Sequence, residues 1–337
     1  MTVRLPELFR TMVAAFALAA VPGTAFAQDA SITVYNAQHE SLTQEWADAF
    51  TAETGIAVVI RQGSDLEVGN QILQEGANSP ADVFLTENSP AMVLVDRAGL
   101  FEPLPQDILD QIPAGFRAAN GHWTGIAARS TVFAYNRDKL SAEALPGSVD
   151  DLAGPEWKGR WAASPSGADF QAIIGAYLQL KGEDDTLAWL KAIKQNAVIV
   201  RGNRTAMAAA NKGEVDGALI YHYYYYGDQA GTKESSGNIA LHFFGNGDPG
   251  AFISVSGGGV LASSQHKAEA MQFLKFITGP DGQKVLRDGK SFEYAIGVNE
   301  AANAALPPLD SLSAPVVDQS SLDNSKVTEL MTAAGLL

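Results

Sequence analysis

From Ile32 to Pro90 the chain repeats one pattern three times: a short aliphatic run, then a segment with helical spacing. Ile32 to Tyr35 reads as a strand, and Leu42, Trp46, Ala49 and Phe50 mark one face of a helix that Gly55 ends. Ser41 to Gln44 has the S-x-x-Q form of a capping box for that helix. Ile56 to Ile60 is the second strand, and Val68, Ile72 and Leu73 suggest the second helix. Ala81 to Leu85 is the third strand, and Ser89-Pro90 opens the third helix with proline at its first position. Strands alternating with helices pair in parallel, because each helix carries the chain back across the sheet. The order predicts a doubly wound α/β sheet.

The second half repeats the theme. Gly125 to Tyr135 is long and mostly extended. Leu187, Leu190 and Ile193 mark a helix, Thr205 is placed to cap another through Ala210, and Gly217 to Ile220 is a short strand. Ala251 to Val255 is again extended and is followed by Gly257-Gly258-Gly259. Ala270, Phe273, Leu274 and Ile277 follow i, i+3, i+4, i+7 spacing, and Val327, Leu330 and Met331 give a last short helix. No repeat or low-complexity linker separates the halves, and 337 residues suit two domains. The expectation is two α/β lobes joined by continuous strands, with crossovers near 127–134 and 250–256.

Residues 1–27 stand apart from this pattern. Arg4 and Arg10 precede an apolar run from Met12 to Val21, Pro22-Gly23 breaks it, and Ala25-Phe26-Ala27 is an A-x-A cleavage signal. The run is too short to span a bilayer, so the segment reads as a signal peptide cleaved after Ala27, and no later stretch is a membrane span. The chain has no cysteine, which removes disulfides, thiolate zinc sites, iron–sulfur clusters and cysteine nucleophiles together. A net charge of −15 disfavours nucleic acid and anionic membrane surfaces as partners.

Five of the nine tyrosines lie in the window Tyr221-His222-Tyr223-Tyr224-Tyr225-Tyr226, directly after the strand 217–220. Ligands of open α/β sheets bind at such strand ends. An aromatic half-buried edge would also use tyrosine, but four consecutive phenols cannot all face one core. A phenol is ordinarily protonated, with a pKa of about 10, and a nearby strongly charged cation removes that proton. Hard phenolate donors suit ferric iron, whereas zinc or copper would call more often for histidine and cysteine. Two phenolates and one carboxylate balance a 3+ ion. His39 and Glu87 follow the first and third strands, on the same edge of one sheet. Each has an ordinary reading, His39 as an exposed or capping residue and Glu87 as a helix-start carboxylate. On one rim, opposite a tyrosine cluster, they become candidate ligands.

The motifs Val34-Tyr35-Asn36-Ala37-Gln38-His39, Ser79-Pro80-Ala81-Asp82-Val83-Phe84, Arg129-Ser130, Ser166-Gly167-Ala168, and Ala218-Leu219-Ile220 running into Tyr223-Tyr224 resemble those of the periplasmic ferric-ion-binding proteins. The order and spacing match across nearly the whole chain after the signal. The resemblance implies a two-lobed type II periplasmic binding protein fold, each lobe a mixed, mostly parallel sheet flanked by helices, with the ligand cleft between them. The N-lobe would be 28–130 with about 253–305, and the C-lobe 131–252 with about 306–337. It implies Fe³⁺ held by His39, Glu87, Tyr223 and Tyr224, and delivery by a periplasmic monomer to an inner-membrane ABC permease and its ATPase. It also implies a small anion, carbonate or phosphate, beside the iron, or water in its place. Ser166, Gly167 and Ala168 match the family's anion-holding turn, and Asn203 matches a second polar position. Tyr221 stands where the family has an asparagine, which argues against phosphate and makes Tyr221 a possible extra contact. Arg129 could neutralise the anion or pair with a carboxylate.

Two rival readings keep a different chemistry. The same fold could enclose an organic or oxyanion solute against the tyrosines. An exported metal hydrolase could use His39 and Glu87, but the three-ligand zinc spacing is missing. Gly257-Gly258-Gly259 lacks the lysine of a phosphate loop, and His122, His242 and His266 show no metal spacing.

Overall fold

The computed structural model describes residues 1–2, 30–322 and 324–337, so the signal-peptide cleavage site lies outside the described residues. The first lobe opens with β1 (Ser31–Asn36), α1 (Glu40–Thr54), β2 (Ala57–Gln62), α2 (Asp65–Glu75), β3 (Val83–Leu85) and α3 (Ser89–Arg97). A short α4 (Gln106–Leu109) leads into the long strand β4 (Thr124–Asn136). Then follow β5 (Trp161–Ala163), α5 (Ala168–Lys181), α6 (Glu183–Asn196), β6 (Ala197–Ile199), α7 (Asn203–Asn211), β7 (Gly217–Tyr221), α8 (Tyr223–Ala230) and β8 (Ile239–His242). The chain returns through β9 (Ile253–Val260), α9 (Lys267–Thr278) and α10 (Pro280–Asp288), and ends on α11 (Asn324–Ala333).

The strands run in the order β2-β1-β3-β9-β4-β7-β5-β6, with β8 also paired to β4. β1 pairs in parallel with β2 and β3, and β5 pairs in parallel with β6 and β7. The two crossover strands run antiparallel to these blocks. β4 pairs with β9 from Thr124 to Ser130, then with β7 from Thr131 to Tyr135. A single 13-residue strand therefore belongs to both halves, and the partner changes between Ser130 and Thr131. The stretch expected near 127–134 lies within β4; the one expected near 250–256 becomes extended only at Ile253, after a 3-10 turn at Pro249–Ala251, and runs on through Gly257-Gly258-Gly259.

Alternation along the strands sends side chains to two faces, and both faces are covered, as a parallel sheet requires. In the first lobe Val34, Val83 and Leu85 pack on Trp46, Phe50, Phe273 and Leu274, while Tyr35 and Phe84 pack on Val68, Ile72 and Met92. In the second, Phe133, Trp161 and Leu219 face α5, α6 and α11, while Val132, Ala134 and Ala162 face Ala206, Met207 and Ala210 of α7. The glycine triplet serves packing. A Cβ on Gly257 would lie 2.2 Å from Met92 Cγ, and one on Gly259 would lie 2.7 Å from Phe101. Bare backbone there lets α3 and the 101 segment close over β9.

The helix starts differ from the sequence expectation in two places. No side-chain cap from Ser41 forms, because α1 begins at Glu40 with His39 at the N-cap position. The capping box stands one helix later, between Ser64 and Glu67. Thr205 lies inside α7, whose N-cap is Gly202.

Candidate metal centre

Four strand ends converge on one cleft. Past β1 the chain turns through Gln38 into His39, and past β3 through Thr86 into Glu87 and Asn88. Past β5 it turns through Ser164 to Gly167 into Asp169, and past β7 through His222 into Tyr223. These are the carboxyl ends of the parallel strands, where a doubly wound sheet leaves a crevice. The first two turns form one rim and the last two the other.

On the first rim His39 is held between two carboxylates. Its Nε2 lies 2.9 Å from Glu87 Oε1 and its Nδ1 lies 2.8 Å from Glu293 Oε1. Burial alone would lower the imidazole pKa, but Glu293 and Glu87 outweigh it and hold it up at about 10. Arg129, fully buried on β4, donates from Nη2 to Glu293 Oε2 at 2.6 Å and from Nη1 to the Glu87 carbonyl. Burial would raise Glu293, yet Arg129 and His39 hold it down at about 2. Asp65 fixes the Glu87 turn by accepting from the Glu87 and Asn88 backbone N–H groups at 2.9 and 3.1 Å.

On the second rim the tyrosine run begins α8. Consecutive residues point about 100° apart on a helix, so the four phenols separate. Tyr223 and Tyr224 turn to the cleft and both donate to Asp169 Oδ2, at 3.3 and 3.0 Å. Asn203 donates to the same oxygen at 2.8 Å. Tyr226 instead stacks on Phe292, and Tyr225 packs edge-on to Tyr226. Burial, then Asp169, pushes the Tyr223 and Tyr224 hydroxyls above the ordinary phenol range. Asp169 is itself raised, first by burial and then by Glu87.

The rims touch. The His39 and Tyr223 rings meet edge to face at 4.7 Å, and the Arg129 guanidinium lies 5.5 Å from the Tyr223 ring centre. Asn88 donates across the cleft to Asp169 Oδ1 at 3.1 Å. Tyr221 is buried behind this contact, its hydroxyl 3.3 Å from Asn88 Oδ1 and 3.2 Å from the Asp169 carbonyl. The centre thus gathers Glu87, Asp169, Asp65 and Glu293 around Arg129 and His39. Burial first, and neighbouring negative charge second, shift Asp65, Asp169, Tyr221, Tyr223 and Tyr224 upward. Among the described residues no set of three or more histidine, aspartate and glutamate side chains is arranged to hold a metal.

Of the residues singled out in the sequence, His39, Glu87, Tyr223, Tyr224 and Asn203 come together, with Tyr221 directly behind. Ser166 is exposed at its turn, with Gly167 and Ala168 half-buried beside it. Arg129 is engaged by Glu293 and the Glu87 carbonyl. Sequence reasoning missed Asp169, Asn88 and Glu293. Asp169 immediately follows the quoted Ser166-Gly167-Ala168 turn and could have been found by reading one residue further. Glu293 lies in an irregular stretch with no periodic signal.

Residues 78–320 match the family model of bacterial extracellular solute-binding proteins. The chain is 58% identical over 326 residues to an Fe(3+)-binding periplasmic protein of Serratia marcescens, covering 97% of this chain and 96% of that one. It is 36% identical to a major ferric iron-binding protein of Neisseria meningitidis, covering 96% and 97%. The structure superposes on iron-bound HitA from Pseudomonas aeruginosa with a TM-score of 0.86 at 40% identity, covering 91% of this chain and all of that one. With the two-lobed α/β architecture and the cleft described above, these similarities make the chain a member of the bacterial extracellular solute-binding proteins, in the family of the periplasmic ferric-ion-binding proteins.

Proposed function

We propose that this protein captures a ferric ion in the cleft and delivers it to an inner-membrane ABC permease and its ATPase. It is exported by cleavage after Ala27 and works in the periplasm as a monomer. Tyr223 and Tyr224 bind as phenolates, Glu87 as a carboxylate and His39 through Nε2. Residues 28–130 with about 253–305 supply the last two, and residues 131–252 with about 306–337 supply the phenols. Because the lobes give different ligands, iron stabilises the closed arrangement over any open one. The protein does no covalent chemistry.

The observation that carries this reading is the pair of adjacent phenols aimed at one buried carboxylate oxygen, with His39 against Tyr223. The same observation bears on the anion. Asp169 lies among Tyr223, Tyr224 and Asn203, where a carbonate or phosphate would be expected, and Arg129 is already neutralised by Glu293. Two phenolates, Glu87 and Asp169 more than cancel 3+, so a further anion would load the site with uncompensated negative charge. Asp169 therefore does the anion's work, and water completes the shell.

Iron binding in buffer freed of carbonate and phosphate tests both parts. The wild type should keep iron and a visible phenolate-to-iron band without either anion. Asp169→Asn should weaken binding and make it respond to added carbonate. A wild type that stays colourless and iron-free even with either anion added back sinks the ferric reading. A wild type that binds only with added anion sinks the role of Asp169 alone.

A further inference from the structure

Glu293 belongs to a third strand-like segment that crosses the hinge, tied to β4 through the Ala128–Tyr294 bridge. Its neighbours divide between the lobes: Phe292 and Tyr294 join the core that faces α5, and Ala295 joins the core under α1. Its side chain is fully buried, and each carboxylate oxygen has a separate task. Oε2 accepts from Arg129 at 2.6 Å and from Gln38 Nε2 at 3.2 Å. Oε1 lies 2.8 Å from His39 Nδ1 as an ion-pair contact, without the alignment of a hydrogen bond. Gln38 closes the loop by accepting the His39 backbone N–H at 2.7 Å and an Arg129 N–H at 3.1 Å.

We infer that Glu293 is the positioning residue of the metal centre: anchored through Arg129, its Oε1 sits against His39 Nδ1 and so leaves Nε2 facing Glu87. The inference rests on the ferric reading above. An imidazole has two nitrogens and can ligate through either, and the partner of the remote nitrogen selects the tautomer and the ring angle. Here the remote partner is a carboxylate that cannot rotate away, because its second oxygen is bound to a buried guanidinium. Arg129 also donates to the Glu87 carbonyl, a contact that does not involve Glu293.

The test measures Fe³⁺ affinity by competition with a chelator in the wild type, Glu293→Gln, Glu293→Asp, His39→Ala and the His39→Ala/Glu293→Gln double variant. Glu293→Asp keeps the charge opposite Arg129 but withdraws the carboxylate from His39, so it serves if the Gln variant does not fold. Each Glu293 variant should lose roughly 10- to 100-fold in affinity. In the His39→Ala background the second change should cost nothing more, since its effect passes through the missing ring. In protein loaded with diamagnetic Ga³⁺, the ¹⁵N signals of His39 should show Nδ1 protonated in the wild type and lose that signature in Glu293→Asp. A merely structural role would lower the unfolding temperature without moving those signals. Losses that add across the double variant, or Glu293 variants that bind like wild type, overturn the inference while leaving the ferric site intact. An unchanged affinity in His39→Ala overturns the ligand reading and this inference with it.

Discussion

On the rim built from β1 and β3 the groups facing the cleft are already ionised and already tied. His39 lies within 3 Å of two carboxylates, and the fully buried Arg129 fixes one of them from behind. On the rim built from β5, β7 and α8 the corresponding groups are neutral phenols whose protons rest on Asp169. The first rim holds its charge as ion pairs, and the second holds it as protons to be released. A highly charged cation gains on both, by displacing the His39 proton on one side and the phenol protons on the other. A neutral solute would gain on neither, which is what the contrast teaches about ligand choice.

The largest effect should come from the proton-storing rim. Tyr223→Phe or Tyr224→Phe keeps the ring and its packing but deletes a phenolate. Each should weaken iron about ten-thousandfold or more and remove or shift the visible band, since Asp169, the other acidic group on that side, cannot replace the lost phenolate bond. Titration with a competing chelator reads the affinity, and the absorption spectrum reads the phenolates. If either variant keeps the wild-type band and affinity, the phenol rim is not where iron binds.

Next comes pH, on which the two rims should separate. Iron uptake at pH 7 should release about three protons, two from the phenols and one from His39, so affinity climbs steeply as pH rises. The metal-free fold behaves differently. His39, held up to about 10 against an ordinary 6.5, stabilises the fold fully below pH 6.5 and loses that contribution as pH rises towards 10. Glu293, held down to about 2 against 4.5, contributes above pH 4.5 and loses it as pH falls towards 2. Proton release in unbuffered solution and thermal unfolding of the metal-free protein measure the two separately. Release of a single proton per ion would mean that the phenols stay protonated.

A smaller loss, about a hundredfold, is expected when a first-rim ligand is removed by His39→Ala or Glu87→Gln, because both phenolates and Asp169 remain. The visible band should survive in both variants. Its disappearance would show that the first rim is needed to bring iron to the phenols, and the division between the rims would fail.

The two rims were also unequally legible in the sequence. His39 and Glu87 could be placed because each follows a readable strand, and a strand's carboxyl end fixes which edge the next residue joins. The tyrosine pair stood out by crowding alone. Asp169 was hidden by proximity, as the first apolar-looking turn of α5 begins one residue earlier at Ala168. Glu293 and Asn88 were not legible, since their roles come from contacts at sequence distances of 164 and 81 residues, to Arg129 and Asp169, that no local pattern encodes. The α1 capping box failed for a related reason. Gln38 Oε1 already accepts the His39 N–H, and Asn36 Oδ1 accepts from Thr43 Oγ1 at 2.9 Å, so the turn is organised by strand-end amides rather than by Ser41.

The smallest effect is the one that tests whether tyrosine crowding itself matters. Tyr225 and Tyr226 share the helix turn with Tyr223 and Tyr224 but point elsewhere. Tyr226 stacks on Phe292 at 6.1 Å between ring centres, and Tyr225 belongs with the Val132 and Ile220 face. Both are half-buried, so removing a hydroxyl while keeping the ring should change stability by no more than about 0.5 kcal/mol. Iron affinity in Tyr225→Phe and Tyr226→Phe should stay within about twofold of wild type, because a helix that aims two of four neighbours at the cleft must aim the others away. Tyr226 is the sharper case, since it also lies 6.0 Å from the His222 ring that begins the turn. A tenfold loss in Tyr226→Phe, with an unfolding temperature like that of the wild type, would place its hydroxyl in the line of action and extend the phenol rim beyond the adjacent pair.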